Sequence, residues 1–406
     1  MPDRRLLLGL GAAGLAALLP GAAMAQQRPQ QRPAAQPRTP APPPASPAQT
    51  PIGPLDTLAR HAILVDADTG AVLLEKAADE RIPPASMSKL MTMYVVFERI
   101  REGALRLDQE LPVSERAFRM GGSRMFLELG SRVSVENLAR GVIIQSGNDA
   151  CVVLAEAISG SEERFAELMN QVARRIGLRD STFRNASGWP HPEHRMTARD
   201  LALLARRLIA DFPEFYRFYS ERSFRWNNIE QANRNPLLGR VPGADGLKTG
   251  STEEAGFGLT ASALRDGRRL ILVVTGLPSM RARAEESERL MEWGFREFEN
   301  VTLFRAADTV EEAPVWLGER PSVPLVGGRN LVLTLPRSWR DRLQVRVAYP
   351  APLPAPVLRG QEVGELLVGG QGVPPMRLPL YAGADVGRLG VLQRIPPVLH
   401  RALFGA

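Results

Sequence analysis

Two side chains able to do chemistry come early in the chain. Ser86 and Lys89 stand three residues apart in Pro84-Ala85-Ser86-Met87-Ser88-Lys89, at the mouth of an apolar run from Leu90 to Ile100. A serine hydroxyl is a weak nucleophile and needs a base to take its proton. A lysine amine can be that base only when burial or a neighbouring cation lowers its pKa. Residues i and i+3 of a helix share a face, so this spacing sets the two side chains one turn apart. The start of such a helix is the positive end of its dipole, which favours negative charge developing nearby. Alone the pattern is weak, because a serine N-cap followed by a solvated lysine reads the same way.

Two further constellations change the odds. Gln145-Ser146-Gly147-Asn148-Asp149 sets a second hydroxyl and an amide around a glycine that permits a tight turn between helices. Gly246-Leu247-Lys248-Thr249-Gly250-Ser251 puts a second lysine on, or at the end of, a strand. Thr249 and Gly250 there would let an extended substrate lie alongside. Each is also readable as a mere turn. It is their occurrence together, in one order and in fitting contexts, that argues for a site. His191 and His194 have a spacing that metals can use, but there is no HExxH. They read as surface-loop histidines, and neither metal nor cofactor is expected. Cys151 is the only cysteine, so no intrachain disulfide can form. Val152, Val153 and Leu154 follow it, and the thiol reads as packed.

The elements that must position these residues follow from periodicity. Leu90, Met93, Tyr94, Phe97 and Ile100 recur at helical spacing, with Pro83 and Pro84 marking the start. His61–Asp66 and Ala71–Glu75 read as a β-hairpin. Met120–Gly130 is a glycine-punctuated loop. Ser134 caps a helix with Leu138, Val142 and Ile143 on its apolar face. Helices are expected over 149–158, over 166–176 ending at Gly177, and over 201–209 opened by Thr197 and Asp200. Strands are expected over 255–264 and 270–275, turned by Asp266-Gly267. From Val301 to Tyr381 short Val/Leu runs are split by Pro and Gly, the pattern of an all-β sandwich.

The flanks differ in composition. Residues 1–25 read as an export signal: Arg4 and Arg5, an apolar stretch Leu6–Leu19, and the cleavage site Ala23-Met24-Ala25. Arg4-Arg5-Leu6-Leu7 also faintly resembles a twin-arginine signal. Residues 26–54 are rich in Pro, Gln and Ala and read as a disordered or polyproline spacer, with folding from Leu55. The tail, 386–406, places Val386, Leu389, Leu392 and Ile395 on one helical stripe with Arg388, Arg394, His400 and Arg401 for charge. Pro396-Pro397 would break it midway. It is too short and charged to span a bilayer, and a helix lying on an anionic membrane surface fits it. The 406 residues allow two folded domains besides these segments. The net charge of +7 favours acidic partners, and no aromatic-basic motif points to nucleic acid.

The three motifs form the set known for penicillin-binding proteins and class A β-lactamases. The chain resembles the serine-type D-alanyl-D-alanine carboxypeptidases, the low-molecular-mass penicillin-binding proteins, from about Leu55 to Tyr381. The resemblance implies an α/β (α+β) transpeptidase domain over 55–298, with an antiparallel sheet flanked by helices. A small β-sandwich over 299–385 would follow. It implies that Ser86 is the nucleophile, Lys89 its base and Ser146 a proton relay. Asn148 would bond Lys89 or the substrate amide, and Lys248 would keep the local field positive. Backbone N–H groups of Ser86 and Ser251 would form the oxyanion hole. Asn233-Arg234-Asn235 matches a family stretch whose arginine holds the substrate carboxylate, and Thr249 could share that role. Many relatives have histidine where this chain has Ser251, which leaves substrate preference and deacylation rate open. Expected partners are peptidoglycan stem peptides and β-lactams, in a periplasmic enzyme peripheral to the anionic inner membrane. The Ser-Gly-Asn motif and the wrong spacing of Glu167 and Asn170 argue against a β-lactamase. A D,D-endopeptidase uses the same serine. A non-catalytic wall-binding protein is opposed by the intact Ser86, Lys89, Ser146, Asn148 and Lys248.

Overall fold

The structure is a computed structural model that describes residues 46–306 and 308–404. The expected export signal, and the spacer up to residue 45, lie outside the described residues. Within them the chain pairs earlier than Leu55. Ala48 is fully buried and bridges Leu55, while Gln49 exchanges backbone hydrogen bonds with Glu75. The expected boundary at Pro54 is therefore several residues late.

The N-terminal half is built on a sheet of five antiparallel strands. In chain order these are β1 (His61–Asp66), β2 (Val72–Lys76), β3 (Ala244–Thr252), β4 (Gly256–Arg265) and β5 (Arg268–Leu277). Their order across the sheet is β2-β1-β5-β4-β3, so the strand bearing Lys248 is an edge. Strand β5 shows why its sequence is apolar without alternation. Ile271 and Val273 face one hydrophobic cluster and Leu270, Leu272 and Val274 the other, so both sides are covered. One cover is helix α6 (Met280–Glu297), through Leu290, Met291 and Trp293.

The other cover is a largely helical layer. It holds α1 (Lys89–Arg101), α2 (Val135–Ile143), α3 (Asn148–Ser159), α4 (Glu162–Ile176) and α5 (Ala198–Asp211). Helix α1 is its centre: every residue from Lys89 to Glu98 is buried. A helix apolar all round belongs inside a protein. Serine and threonine hydroxyls start its neighbours, as Ser134 accepts from Asn137 N and Thr197 from Asp200 N. Gly177 ends α4 with φ +91. Asn170 is structural: its side chain bonds both the N–H and the carbonyl of Phe183.

Helix α6 runs without a linker into β6 (Phe298–Phe304). Up to Ala382 the C-terminal half is mostly strand, with one short 3-10 helix at Arg337–Arg342. Strand β6 pairs with β9 (Leu331–Pro336). A six-stranded sheet contains β7 (Thr309–Trp316), β8 (Ser322–Gly327), β10 (Gln344–Ala348), β11 (Leu353–Pro354), β12 (Glu362–Gly370) and β13 (Val373–Ala382). Its core gathers Leu325, Leu333, Leu366 and Leu380.

The tail departs from expectation. Val386 is buried and bridges Val357, and Leu389 N–H bonds Leu317 O, so both belong to the β domain. The helix, α7 (Ile395–Phe404), begins later. Pro396 and Pro397 sit in its first turn, where a missing N–H costs nothing, so they start it and do not break it. The side chains of His400 and Arg401 lie outside the described residues. No helix among the described residues is long and apolar enough to cross a membrane.

Candidate active site

Ser86 lies in a 3-10 turn, Ala85–Ser88, that leads straight into α1. Pro84 precedes it, and Ala85 is held at φ +49, a strained value for a residue with a Cβ. The turn sets Lys89 Nζ 2.9 Å from Ser86 Oγ. The same nitrogen lies 2.7 Å from Asn148 Oδ1 and 2.6 Å from the Ser187 carbonyl. A neutral amine has two N–H bonds and one lone pair. Two carbonyl-type acceptors use the N–H bonds, which leaves the lone pair for the Ser86 hydroxyl. Lys89 is 1% exposed. Burial draws its pKa down to about 8, and Arg234 pushes the same way against Cys151, Asp149 and Glu162.

The second motif is fixed by α3. Ser146 takes φ +62 before Gly147, and Asn148 opens the helix. Asn148 Nδ2 donates to Gly121 O at 2.9 Å, so its oxygen is free to face Lys89. The buried Asp149 carboxylate accepts N–H bonds from Met125, Leu127 and Ala150. The glycine-punctuated loop is thereby tied to the helix start. Ser146 Oγ is buried with no hydrogen-bond partner among the described residues.

The third motif lies on edge strand β3. Lys248 is buried, and its Nζ donates to Thr249 O at 3.1 Å. Burial first, then Lys89 and Arg234, hold its pKa well below the ordinary lysine range. Gly250 is needed for close approach. A Cβ there would lie 2.9 Å from Pro84 O and 3.1 Å from Met87 N, so the strand backs directly onto the nucleophile's turn.

Ser86, Ser146, Arg234, Thr249, Gly250 and Ser251 line one cleft of about 340 Å³. Arg234 Nη1 donates to Ser123 Oγ at 2.6 Å. Asn233 and Asn235 flank it with side chains bonded to backbone. A larger cavity, about 750 Å³, lies in the C-terminal domain. It is lined by Arg329, Arg359, Tyr381 and apolar side chains and holds no nucleophile–base pair, so size does not mark the site. No cluster of metal-ligating side chains exists among the described residues.

The structure thus brings all nine expected residues into or against one crevice: Ser86, Lys89, Ser146, Asn148, Arg234, Lys248, Thr249, Gly250 and Ser251. It also adds three. Ser187 contributes a main-chain carbonyl, which no residue type encodes. Ser123 positions Arg234 from the glycine-rich loop. Arg283 enters from α6 at 7% exposure with Nε unpaired among the described residues. Burial, then Arg234, lowers its pKa to about 10. In sequence it is one arginine in a charged helix. The histidines need correction. His191 is exposed, but His194 is 2% exposed and lies 2.7 Å from Ser88 Oγ through Nε2. Burial, and then the cations around it, lower its pKa to about 3.

Comparison with known proteins agrees with this geometry. Residues 47–279 match the family model for D-alanyl-D-alanine carboxypeptidase, and 298–388 match the C-terminal domain of penicillin-binding protein 5. The chain is 41% identical over 345 residues to D-alanyl-D-alanine carboxypeptidase DacC of Escherichia coli, covering 83% of this chain and 86% of that protein. The crystal structure of penicillin-binding protein 5 from Haemophilus influenzae superposes with a TM-score of 0.77 at 37% identity, covering 82% of this chain and 99% of that one. Penicillin-binding protein D2 of Listeria monocytogenes, solved with bound ampicillin, is 32% identical with a TM-score of 0.55 over 59% of this chain and 98% of that one. With a serine and a buried lysine in contact at the cleft and matches across both domains, the chain belongs to the peptidase S11 family and is a serine-type D-alanyl-D-alanine carboxypeptidase of the penicillin-binding class.

Proposed function

We propose that Ser86 Oγ attacks the carbonyl carbon between the two terminal D-alanines of a peptidoglycan pentapeptide stem. The Ser86 proton passes to Lys89 Nζ as the C–O bond forms. The oxyanion is held by the N–H groups of Ser86 and Ser251. The C–N bond then breaks, and the leaving amine takes a proton relayed through Ser146 Oγ. D-Alanine departs and leaves an ester on Ser86, which water hydrolyses to free serine and the shortened stem. The terminal carboxylate is read by Arg234, with Thr249 beside it. That same negative charge would favour the protonated form of Lys248, against the burial that disfavours it. The observation that carries this reading is the 2.9 Å approach of a buried, weakened lysine amine to Ser86 Oγ. β-Lactams, as mimics of the D-alanyl-D-alanine end, would acylate the same oxygen.

The test is mass spectrometry of a pentapeptide muropeptide digest. Loss of one D-alanine, abolished in Ser86→Ala, is expected. Undiminished activity in Ser86→Ala would overturn the nucleophile, and splitting of cross-linked dimers would point to endopeptidase action.

We further propose that the enzyme works in the periplasm, held at the anionic membrane face by its tail. Leu392 and Ile395 are 81% and 56% exposed, and Leu399 and Leu403 are also open. Arg388 and Arg394 stand close by in sequence. Such exposed apolar residues at one end of a chain fit an interfacial helix.

A further inference from the structure

We propose that His194 is a positioning residue for the Ser86–Lys89 pair. Its neutral imidazole ties the loop that supplies the Ser187 carbonyl to the turn that carries the nucleophile. This rests on the reading of Ser86 and Lys89 given above.

The bonding pattern fixes the imidazole's form. Nδ1 accepts the Arg184 N–H at 3.3 Å. The ring proton must then sit on Nε2, which donates to Ser88 Oγ at 2.7 Å. Phe183 meets the ring edge-on with centroids 5.5 Å apart. The charged groups around the ring are Lys89, Arg184, Arg195 and His191, all of which oppose a second proton, while the Glu193 carboxylate is engaged by Arg184.

The consequence lies in what the imidazole connects. Ser88 stands two residues after the nucleophile and directly before the base. The loop Arg184–His194 carries, in its middle, the carbonyl that accepts from Lys89. Asn185 stiffens that loop by accepting the N–H groups of Ser187, Gly188 and Trp189. It also presses on the turn: a Cβ at Gly188 would lie 2.0 Å from Ala85 O and 3.1 Å from Ser88 Cβ. His194 closes the remaining side. Loop and turn are thus joined at Lys89–Ser187 and again at Ser88–His194. Without the second tie the Ser187 carbonyl could drift, and the Lys89 lone pair would lose its aim at Ser86. A misplacement of about 1 Å in a reacting pair can cost on the order of 100-fold in rate.

The test measures acylation by a fluorescent penicillin and D-alanine release from a pentapeptide, using the full mature chain. His194→Phe keeps ring volume and loses both hydrogen bonds. It should slow acylation and kcat roughly tenfold or more, with KM within about twofold. The amide nitrogen of His194→Gln reaches the place of Nε2 and should restore the rate to within about threefold of the parent. Ser88→Ala should show the His194→Phe loss, and the double variant should be no slower than either single one. Parental acylation in His194→Phe, no rescue by Gln, or multiplying losses would overturn the proposal. Should His194→Phe fail to fold, Ser88→Ala acylating at the parental rate overturns it instead. Labelling of Ser86→Ala would defeat the nucleophile assignment, a different outcome from any of these.

Discussion

At the scale of single residues the proposed mechanism turns on one proton. Lys89 can accept it only when neutral, and its pKa is drawn down to about 8. Acylation should therefore rise with pH and reach half its maximum near pH 8, while at pH 6 roughly one amine in a hundred is neutral. A pH series of penicillin acylation rates checks this. Stability has its own sign. The folded pKa lies below the unfolded 10.5, so the unfolded chain binds more protons between about 8 and 10.5. The cost of burying Lys89 is full below pH 8 and fades as pH rises through that window. Arg234 makes a second case. Arg234→Gln should lower kcat/KM roughly 10- to 100-fold for a substrate with a free carboxylate, from the loss of about 1.5–3 kcal/mol of charge-assisted bonding. A C-terminally amidated analogue should not feel the change, as steady-state kinetics on the pair would show. Ser86, Lys89, Ser146, Asn148 and Lys248 were legible because side-chain chemistry at fixed spacing is what a sequence records. The Ser187 carbonyl was not, since any residue has one. The burial of His194 was not, since only the loop's path decides it.

At the scale of elements, the site exists where a strand edge meets a helix start. Lys248 and the Ser86 turn approach through a glycine, and that contact can be probed directly. Gly250→Ala would drive a methyl against Pro84 O and Met87 N, at 2.9 and 3.1 Å. We expect a loss of about 1–3 kcal/mol in stability and a marked fall in penicillin labelling. Thermal melting beside a labelling assay measures both. The sequence suggests that Thr249 and Gly250 let a substrate lie alongside the strand, and the structure adds that the missing Cβ of Gly250 also makes room for the protein's own turn. Periodicity made α1 and the β4–β5 hairpin readable, because burial writes itself into apolar spacing. It misled at the tail. Val386 and Leu389 share a helical stripe with Leu392 and Ile395, yet they bridge to strands and loops of the β domain. Tertiary pairing overrode an apolar pattern too short to fix its own register.

At the scale of the whole molecule, the proposed reading gives chemistry and location to opposite ends of one chain. Removing residues 391–406 takes away the exposed Leu392, Ile395, Leu399 and Leu403 and leaves every cleft residue in place. The shortened protein should keep its kcat on a soluble pentapeptide and lose flotation with phosphatidylglycerol vesicles. Retained flotation would remove the tail from the account. The junction between the halves has a mechanical meaning. Glu297 ends a helix and Phe298 begins a strand with nothing between them. Arg268 Nη1 clasps the Phe298 carbonyl, and Thr69 meets Thr334 across the seam. Among the described residues no linker separates the helix from the β domain. Were the tail to hold the enzyme at the lipid as proposed, this junction would act as a ruler and keep the cleft at one standoff. Stems farther out or closer in would be cropped poorly however dense they were. Splicing a flexible glycine–serine segment after Glu297 should leave soluble turnover intact and broaden the band of wall that a tethered enzyme trims, a shift that depth-resolved labelling of sacculi can record.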